Sequence, residues 1–219
     1  FLTGGYAYYN NSFVNFSLFS HDVHKAFLRF NSSFETETSL ILGGDVSAKL
    51  YPANEGTPGS EAYQLNLFAQ VGQALTTNTG LSAYLQLRSN LSQTARTFYY
   101  DNTLFYQDEL FNDVFSNEGF ETGMSLTKIF SSTFGAKAEF VYAKREYSTL
   151  PALDFGGNVI ASSRIDNQFA FGIELQKDIS SYLRGVSVQA NWNYLFNTSN
   201  DRFYKYDNQL FSIGLDYTF

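Results

Sequence analysis

The clearest acid–base and metal-binding chemistry in the chain lies in one short segment, His21-Asp22-Val23-His24, which holds both histidines. An imidazole acts as a general base only where a neighbouring group orients it toward a positioned nucleophile or water. Two imidazoles and one carboxylate so close in sequence are also a weak signal for a metal site. No acid pair recurs at other strand ends, and there is neither a phosphate-binding glycine loop nor an Asp-x-Asp-x-Asp calcium run. We therefore predict no catalytic residue, no metal and no cofactor.

Charged side chains are the second group of residues that could carry a function, and their positive and negative charges balance. Six basic and six acidic residues fall on one face of the strands predicted below. Among many amide side chains, such a balance indicates an internal network of salt bridges and hydrogen bonds. A selective pore more often shows one sign of charge at its constriction. The predicted network contains Lys25, Arg29, Asp45, Lys49, Arg88, Glu121, Lys137, Glu139, Arg145, Asp166, Glu174 and Asp216.

Composition limits the classes of protein that can place these residues. The 219 residues include no cysteine, 18% aromatic and only 16% charged residues, with a mean hydropathy of -0.22. No apolar run is long enough for a transmembrane helix, which needs about 18 residues or more. The net charge of -7 argues against a nucleic-acid partner. Because the chain begins at Phe1 without methionine, we expect a processed chain or the C-terminal part of a longer one.

Alternation of apolar and polar residues with period two predicts ten antiparallel β-strands. In each predicted strand an apolar face lies opposite a face rich in Asn, Gln, Ser and Gly. Lys128 and Lys177 lie at the ends of apolar faces, where we expect them to extend toward lipid headgroups. The predicted strands cover residues 2–12, 24–34, 39–51, 61–74, 79–92, 118–130, 134–148, 165–178, 185–198 and 208–219.

The connections between these strands alternate in length. Short ones lie near residues 35–38, 75–78, 131–133 and 179–184, and long ones near 13–23, 52–60, 93–117, 149–164 and 199–207. Short periplasmic turns and long outer loops are typical of bacterial membrane barrels. We predict a single domain over residues 1–219, a closed up-and-down transmembrane β-barrel of about ten strands with both termini in the periplasm.

A soluble β-sandwich is the alternative fold. Its solvent face would carry many Lys and Glu, whereas the polar face here is mostly amide, hydroxyl and Gly, with scattered charges. The apolar faces of the second to tenth predicted strands carry no charge at mid-strand. An arginine or lysine at the bilayer midplane would cost about 2–4 kcal/mol, so this absence favours the membrane barrel.

The last twelve residues end on an aromatic residue within an apolar strand face. This segment resembles the C-terminal assembly signal of bacterial outer-membrane proteins, carried by Ser212, Gly214, Tyr217 and Phe219. The resemblance implies a location in the bacterial outer membrane. It also implies contact with the lipid bilayer, lipopolysaccharide and the barrel-assembly machinery.

Three further segments, together with the chain end, carry a second resemblance. The segments similar to the closing hairpins of barrels that follow tetratricopeptide repeats are Arg164-Ile165-Asp166, Asn197-Thr198-Ser199-Asn200, Tyr204-Lys205-Tyr206-Asp207 and the terminal Gly214-Leu215-Asp216-Tyr217-Thr218-Phe219. Some of those barrels export polysaccharides or surface proteins. The resemblance implies an export role, while the absence of a helical repeat and the small strand number weigh against it.

The leading functional hypothesis is a channel or export-related component with a narrow, charge-balanced lumen. A non-conducting barrel that anchors partners through its loops is the alternative, and a hydrolase is the least favoured. The aromatic and acidic loop at 93–117 has two interpretations: it packs on its own barrel, or it binds a protein partner. Its acidic and aromatic residues include Asp101, Asp108, Glu109, Asp113, Tyr99, Phe105 and Phe111.

Overall fold

The computed structural model describes residues 1–14, 20–53, 59–92, 97–100, 103–106 and 114–218. These residues form β-strands with two 3-10 turns, and none of their helices is long and apolar enough to span a membrane. Ten strands make one antiparallel sheet in the order of the chain. They are β1 (Leu2–Asn11), β2 (His21–Ser33), β3 (Thr38–Tyr51), β4 (Ser60–Thr76), β5 (Thr79–Ser92), β8 (Glu118–Ser131), β9 (Phe134–Tyr147), β12 (Arg164–Asp178), β13 (Val186–Ser199) and β14 (Tyr206–Tyr217).

The remaining strands form two small hairpins within the long connections. The first joins β6 (Thr97–Tyr100) to β7 (Thr103–Tyr106), and the second joins β10 (Ala152–Leu153) to β11 (Val159–Ala161). The 3-10 turns cover Val114–Ser116 and Arg202–Tyr204. Because every pairing is antiparallel, all long connections lie at one end of the sheet, the loop end, and all short ones at the other, the turn end.

The all-β class, the antiparallel order and the ten main strands confirm the sequence prediction at this level. Predicted strand ends differ from the observed ones by three residues at most, the largest shift being the start of β2 at His21. The two small hairpins were not predicted. Their strands have two to four residues, too few for alternation to stand out from the loop around them.

The sheet has one apolar and one polar face, because cross-strand partners share a face. On the apolar face, Leu42 pairs with Ala69, and Ala69 with Leu85; on the polar face, Asp45 pairs with Asn66. Charged residues on the apolar face of the described strands lie within four residues of a strand end. They are Asp22, Glu61, Glu118, Lys128, Lys144, Glu146, Lys177 and Asp207.

The two outermost strands of the sheet are open edges. Among the described residues, β1 pairs only with β2, and β14 only with β13. Ile213 on β14 is 80% exposed, whereas Ile173 on the interior strand β12 is 44% exposed on the same face. This difference corresponds to one missing neighbouring strand at the edge. Closure of the sheet into a barrel therefore stays a prediction.

Most buried residues of the described chain lie on the polar face at the loop end. Leu150, Ala152 and Asp201 are at most 2% exposed, and they belong to the loops over β9, β12 and β13. Other buried members are Tyr51, Lys49, Gln64, Asn117, Tyr147, Arg164, Asp166, Asn197 and Ser199. The compact core of this protein is thus partly polar and sits under its loops rather than at the middle of the sheet.

Candidate functional site: the polar face and the loop-end cluster

All twelve residues of the network predicted from the sequence lie on the polar face. Three ion pairs join six of them: Lys25 Nζ to Asp45 Oδ2 at 3.0 Å, Lys137 Nζ to Glu139 Oε2 at 2.8 Å, and Arg145 Nη2 to Glu121 Oε2 at 3.8 Å. Arg29, Glu174 and Asp216 form no ion pair with another described residue. The charges are therefore arranged as local pairs, and their role as a lumen network is a proposal.

Amide side chains connect the charged residues of β3, β4 and β5. Asn66 donates to Asp45 Oδ1 at 3.0 Å and accepts a hydrogen bond from Arg88 Nε at 3.4 Å. Arg88 Nη1 also donates to Asn117 Oδ1 at 2.8 Å. Amides can donate and accept at once, so they join a carboxylate to a guanidinium across three strands without a direct ion pair.

The C-terminal end of the loop at 93–117 joins this hydrogen-bonded network of charged and amide side chains. Phe115, Ser116 and Asn117 are buried, and Lys49 Nζ lies 5.9 Å from the centre of the Phe115 ring. Gln64 Nε2 donates to the Asn117 carbonyl at 3.3 Å. The acidic and aromatic residues named above for this loop lie outside the residues whose side chains the structure describes, so its proposed partner-binding role stays untested.

Tyr84 on β5 covers a glycine of the neighbouring strand. A Cβ atom at Gly123 would lie 2.4 Å from Tyr84 Cε1, so only glycine leaves room for this ring position. The Tyr84 hydroxyl donates to Glu121 Oε1 at 2.8 Å. The ring therefore places its hydroxyl on the carboxylate that also faces Arg145.

A second cluster, the loop-end cluster, centres on Arg164 at the start of β12. Its guanidinium lies between the rings of Tyr147 and Tyr204, 3.7 Å from each ring centre. Arg164 Nε lies 3.4 Å from Asp166 Oδ2, and both side chains are less than 10% exposed. A planar guanidinium can stack on two rings and keep its edge for a carboxylate, which a lysine cannot do. Arg164 thus joins three segments that are distant in sequence.

Backbone and amide hydrogen bonds hold the adjoining loops over Arg164. Asp201 accepts from the backbone amides of Leu153 and Phe203, each at 2.9 Å, which connects the β10–β11 hairpin to the Arg202–Tyr204 turn. Asn197 Nδ2 donates to the Tyr204 carbonyl at 2.6 Å, and Asn200 Oδ1 accepts from the Ile165 amide at 2.8 Å. These loops form one packed cap on β9, β12 and β13.

The hairpin tip carries its own carboxylate turn. The side chain of Asn158 donates to both oxygens of Asp154, at 3.2 and 3.0 Å, and its backbone amide donates at 2.9 Å. These donors stabilise the ionised form and hold the pKa of Asp154 below its usual value. The tip is therefore charged across the physiological pH range.

The predicted network omitted Arg164 and its aromatic partners. The sequence did mark the place, since the segments beginning at Arg164, Asn197 and Tyr204 carried the resemblance to repeat-linked barrels. Those three segments meet in space, although they are far apart along the chain.

Some polar atoms of the cluster are buried without a hydrogen-bond partner in the described structure: Arg164 Nε and Nη1, Asp166 Oδ1 and Asn197 Oδ1.

The two histidines lie on opposite faces of β2. His24 Nδ1 is 2.5 Å from the Tyr6 hydroxyl on the apolar face, whereas His21 lies beside the Tyr51 ring, 5.2 Å between centres, on the polar face. Asp22 accepts from Tyr8 and Asn10, both at 2.8 Å. No group of three metal-binding side chains occurs among the described residues. The two imidazoles therefore do not meet in one site, while Asp22 and His24 share the apolar face of β2.

Both lysines predicted to extend toward the headgroups reach the turn end of the sheet. Lys128 Nζ donates to Asn78 Oδ1 at 3.0 Å and to Thr79 Oγ1 at 2.9 Å, and Lys177 Nζ donates to Thr133 Oγ1 at 3.0 Å. Their aliphatic stems follow the apolar face while the ammonium groups leave it.

The assembly-signal residues lie on both faces of β14. Ser212 and Gly214 are on the polar face and Tyr217 is on the apolar face, and all three are exposed. Phe219, the last member of the predicted signal, lies outside the described residues.

Comparison with solved structures finds proteins of similar fold. No protein-family model and no curated protein matches the chain. The crystal structure of Acinetobacter baumannii OccAB1, a porin-like outer-membrane β-barrel, has a similar fold, with a TM-score of 0.55 and 12% sequence identity. The superposition covers 98% of this chain and 54% of that one, so the chain spans about half the length of OccAB1. At this identity the likeness concerns the fold alone: the chain forms an antiparallel sheet resembling part of a porin-like barrel.

Proposed function

We propose that the chain forms a transmembrane β-barrel of the bacterial outer membrane, with its apolar face in lipid and its polar face toward a lumen. The observation that carries this proposal is the two-faced sheet, whose apolar face has no charge at mid-strand in the described residues. Lipid supplies no hydrogen bonds to backbone groups, so a sheet crosses a membrane only when each strand has two neighbours. The likeness to OccAB1, an outer-membrane channel, supports the same assignment.

Within this assignment the protein is a channel or an export-related component. The polar face of the described strands carries seven basic and seven acidic residues, the twelve of the predicted network together with Arg164 and Asp178. Amide bridges join several of them, which suits a narrow and charge-balanced lumen. Short turns at one end and long loops at the other favour a periplasmic location for the turn end and both termini. The exposed Ser212, Gly214 and Tyr217 suit recognition by the barrel-assembly machinery. The loop end suits contact with lipopolysaccharide, and the apolar face suits contact with lipid.

Closure of the barrel by pairing β1 with β14 is the first point to test. The chain has no native cysteine, so engineered disulfides can be assigned without ambiguity. Ala7 on β1 and Ser212 and Gly214 on β14 lie on the polar face, and facing residues of paired strands must share a face. We expect Ala7→Cys to form a disulfide with Ser212→Cys or Gly214→Cys in the folded protein, seen as a mobility shift on a non-reducing gel.

Ala7→Cys with Ile213→Cys is the matched control, because Ile213 lies on the apolar face. Cross-linking of this pair at the same rate would show that the strands meet in another register or only in unfolded protein. Failure of Ala7→Cys to cross-link with a cysteine at any polar-face position of β14 from Asn208 to Asp216 would contradict closure through these two strands, and each edge would then need a different partner strand.

Conduction tests the functional part of the proposal. Purified protein inserted into a planar lipid bilayer is expected to give discrete current steps whose size changes when Arg88 is replaced by glutamine. Folded protein that remains silent over long recordings would contradict the channel function and favour the anchoring barrel.

The anchoring alternative has one observation in its favour. The cap held by Arg164 presents exposed apolar side chains beyond the strand ends: Phe155 is 74% exposed and packs edge-on against Phe203, and Val159 and Ile160 are also exposed. Such a rigid apolar tip suits contact with another protein. The hydrolase alternative draws no support from a joint histidine site, since His21 and His24 lie on opposite faces of β2.

A further inference from the structure

A small cavity lies on the polar face where β5, β8 and β9 meet. Its volume is about 20 Å³, and its lining includes Arg88, Arg145, Glu121, Asn117 and Gly119. Gly119 has a φ of 139°, and a Cβ atom there would lie 2.0 Å from the Lys144 carbonyl oxygen. The backbone at this point therefore requires glycine, which lets β8 approach the Lys144 carbonyl of β9 beside the cavity.

The charges that face the cavity do not cancel. Arg88 donates only to the neutral amides of Asn66 and Asn117, and no described carboxylate forms an ion pair with it. Arg145 has one carboxylate of the cavity lining nearby, Glu121, but the closest atoms are 3.8 Å apart, beyond hydrogen-bond distance. Asp166 lies opposite Arg145 on β12, outside the cavity lining, and forms its ion pair with Arg164. Glu121 is meanwhile engaged by the Tyr84 hydroxyl at 2.8 Å. Two guanidinium groups and one carboxylate leave a net positive charge at the cavity.

A second cavity on the same face shows that this excess is local. It has a volume of about 40 Å³ and is lined by Lys137, Glu139 and Glu174 together with the amides of Asn191 and Asn193. There the single cation is paired with Glu139 at 2.8 Å, and a second carboxylate remains. The polar face is thus balanced in sum but divided into a positive and a negative region.

We propose that the cavity between Arg88 and Arg145 binds one monatomic anion of halide size. A cavity of about 10–15 Å³ or more holds one water molecule, so 20 Å³ has room for one small ion. Guanidinium donors to an anion make stronger hydrogen bonds than donors to an amide, which favours an anion over water between two arginines. The site belongs to the folded sheet and does not depend on whether the barrel conducts.

Thermal unfolding of the folded full chain in detergent micelles tests the site. We compare sodium chloride and sodium bromide with sodium gluconate at equal ionic strength. Binding to the native state alone raises Tm with ligand concentration, and for a domain of this size we expect a saturable rise of about 4 °C in either halide over gluconate. Arg88→Gln and Arg145→Gln should each abolish that difference between salts.

Lys137→Gln is the matched control, since it removes a basic residue of the same face that already has a carboxylate partner, and it should keep the halide effect. Ala143→Val retains both arginines but fills the cavity, which Ala143 lines, and should lose the effect. If an arginine variant fails to fold, the halide effect on the Tm of Ala143→Val tests the proposal instead. Equal Tm in chloride and gluconate for the native chain, or a halide effect that persists in Ala143→Val, would overturn the proposal. The thermal measurement does not involve bilayer conductance, so failure of the anion-site proposal is distinguishable from failure of the proposed channel function.

Discussion

Arg164→Ala is expected to lower the free energy of unfolding by about 3–5 kcal/mol, because it leaves the Asp166 carboxylate buried without its cation. The change also removes two cation–π contacts with Tyr147 and Tyr204, each at 3.7 Å. Unfolding by guanidinium chloride, followed by far-UV circular dichroism in detergent, measures the loss. Limited proteolysis should at the same time cleave the 148–163 loop faster than in the native chain.

Arg184→Ala is the matched control, since Arg184 lies exposed in the short connection at the opposite end of the sheet. A surface arginine of this kind is expected to contribute less than about 0.5 kcal/mol. Arg164→Lys should fall between the two, because lysine keeps the charge beside Asp166 but cannot stack as a plane. Equal stability of Arg164→Ala and Arg184→Ala would contradict the conclusion that Arg164 stabilises the cap.

Leu67→Arg is the second change with a large expected effect, and it tests the membrane assignment directly. Leu67 lies at the middle of β4 on the apolar face and is 46% exposed. In water, arginine at so exposed a position would cost little, whereas at the bilayer midplane it costs about 2–4 kcal/mol. Folding equilibria in liposomes, titrated with guanidinium chloride, distinguish the two environments.

Leu81→Arg supplies the comparison within the same face. Leu81 lies near the turn end of β5 and is 38% exposed, so its arginine can reach the headgroup region at a cost of about 0–1 kcal/mol. We expect the loss at Leu67 to exceed the loss at Leu81 by more than 1 kcal/mol. Similar losses at both positions, or protein that stays dissolved and monodisperse without detergent, would contradict a lipid-facing sheet.

The ten main strands could be predicted from the sequence because alternation is a local signal. Side chains two positions apart share a face whatever the rest of the chain does, so His24 to Phe30 already divides into an apolar set and a polar set. The alternating lengths of the connections then gave the antiparallel order. For the same reason the sides of Lys25, Arg88 and Glu139 could be predicted, and the placement of Lys128 and Lys177 at the turn end.

Partners across the sheet could not be predicted in this way. Arg145 lies opposite Asp166 of β12 and forms an ion pair with Glu121 of β8, two residues beyond its direct partner Gly119. A shift of β8 by two residues would change which residue faces Arg145 while leaving every face unchanged. The long loops carry no period at all. Nothing local indicates that Tyr147 and Tyr204, 57 positions apart in the chain (204 − 147), stack on one arginine.

The sequence by itself determined the β class, the strand set, the two faces and the absence of charge at mid-strand, since each follows from residue type and period two. Only the tertiary structure decided which charges pair, where Arg164 lies, that His21 and His24 point apart, and that a positive cavity forms beside Gly119. Those properties depend on register and loop packing, which bring together residues whose separation along the chain carries no information about their distance in space.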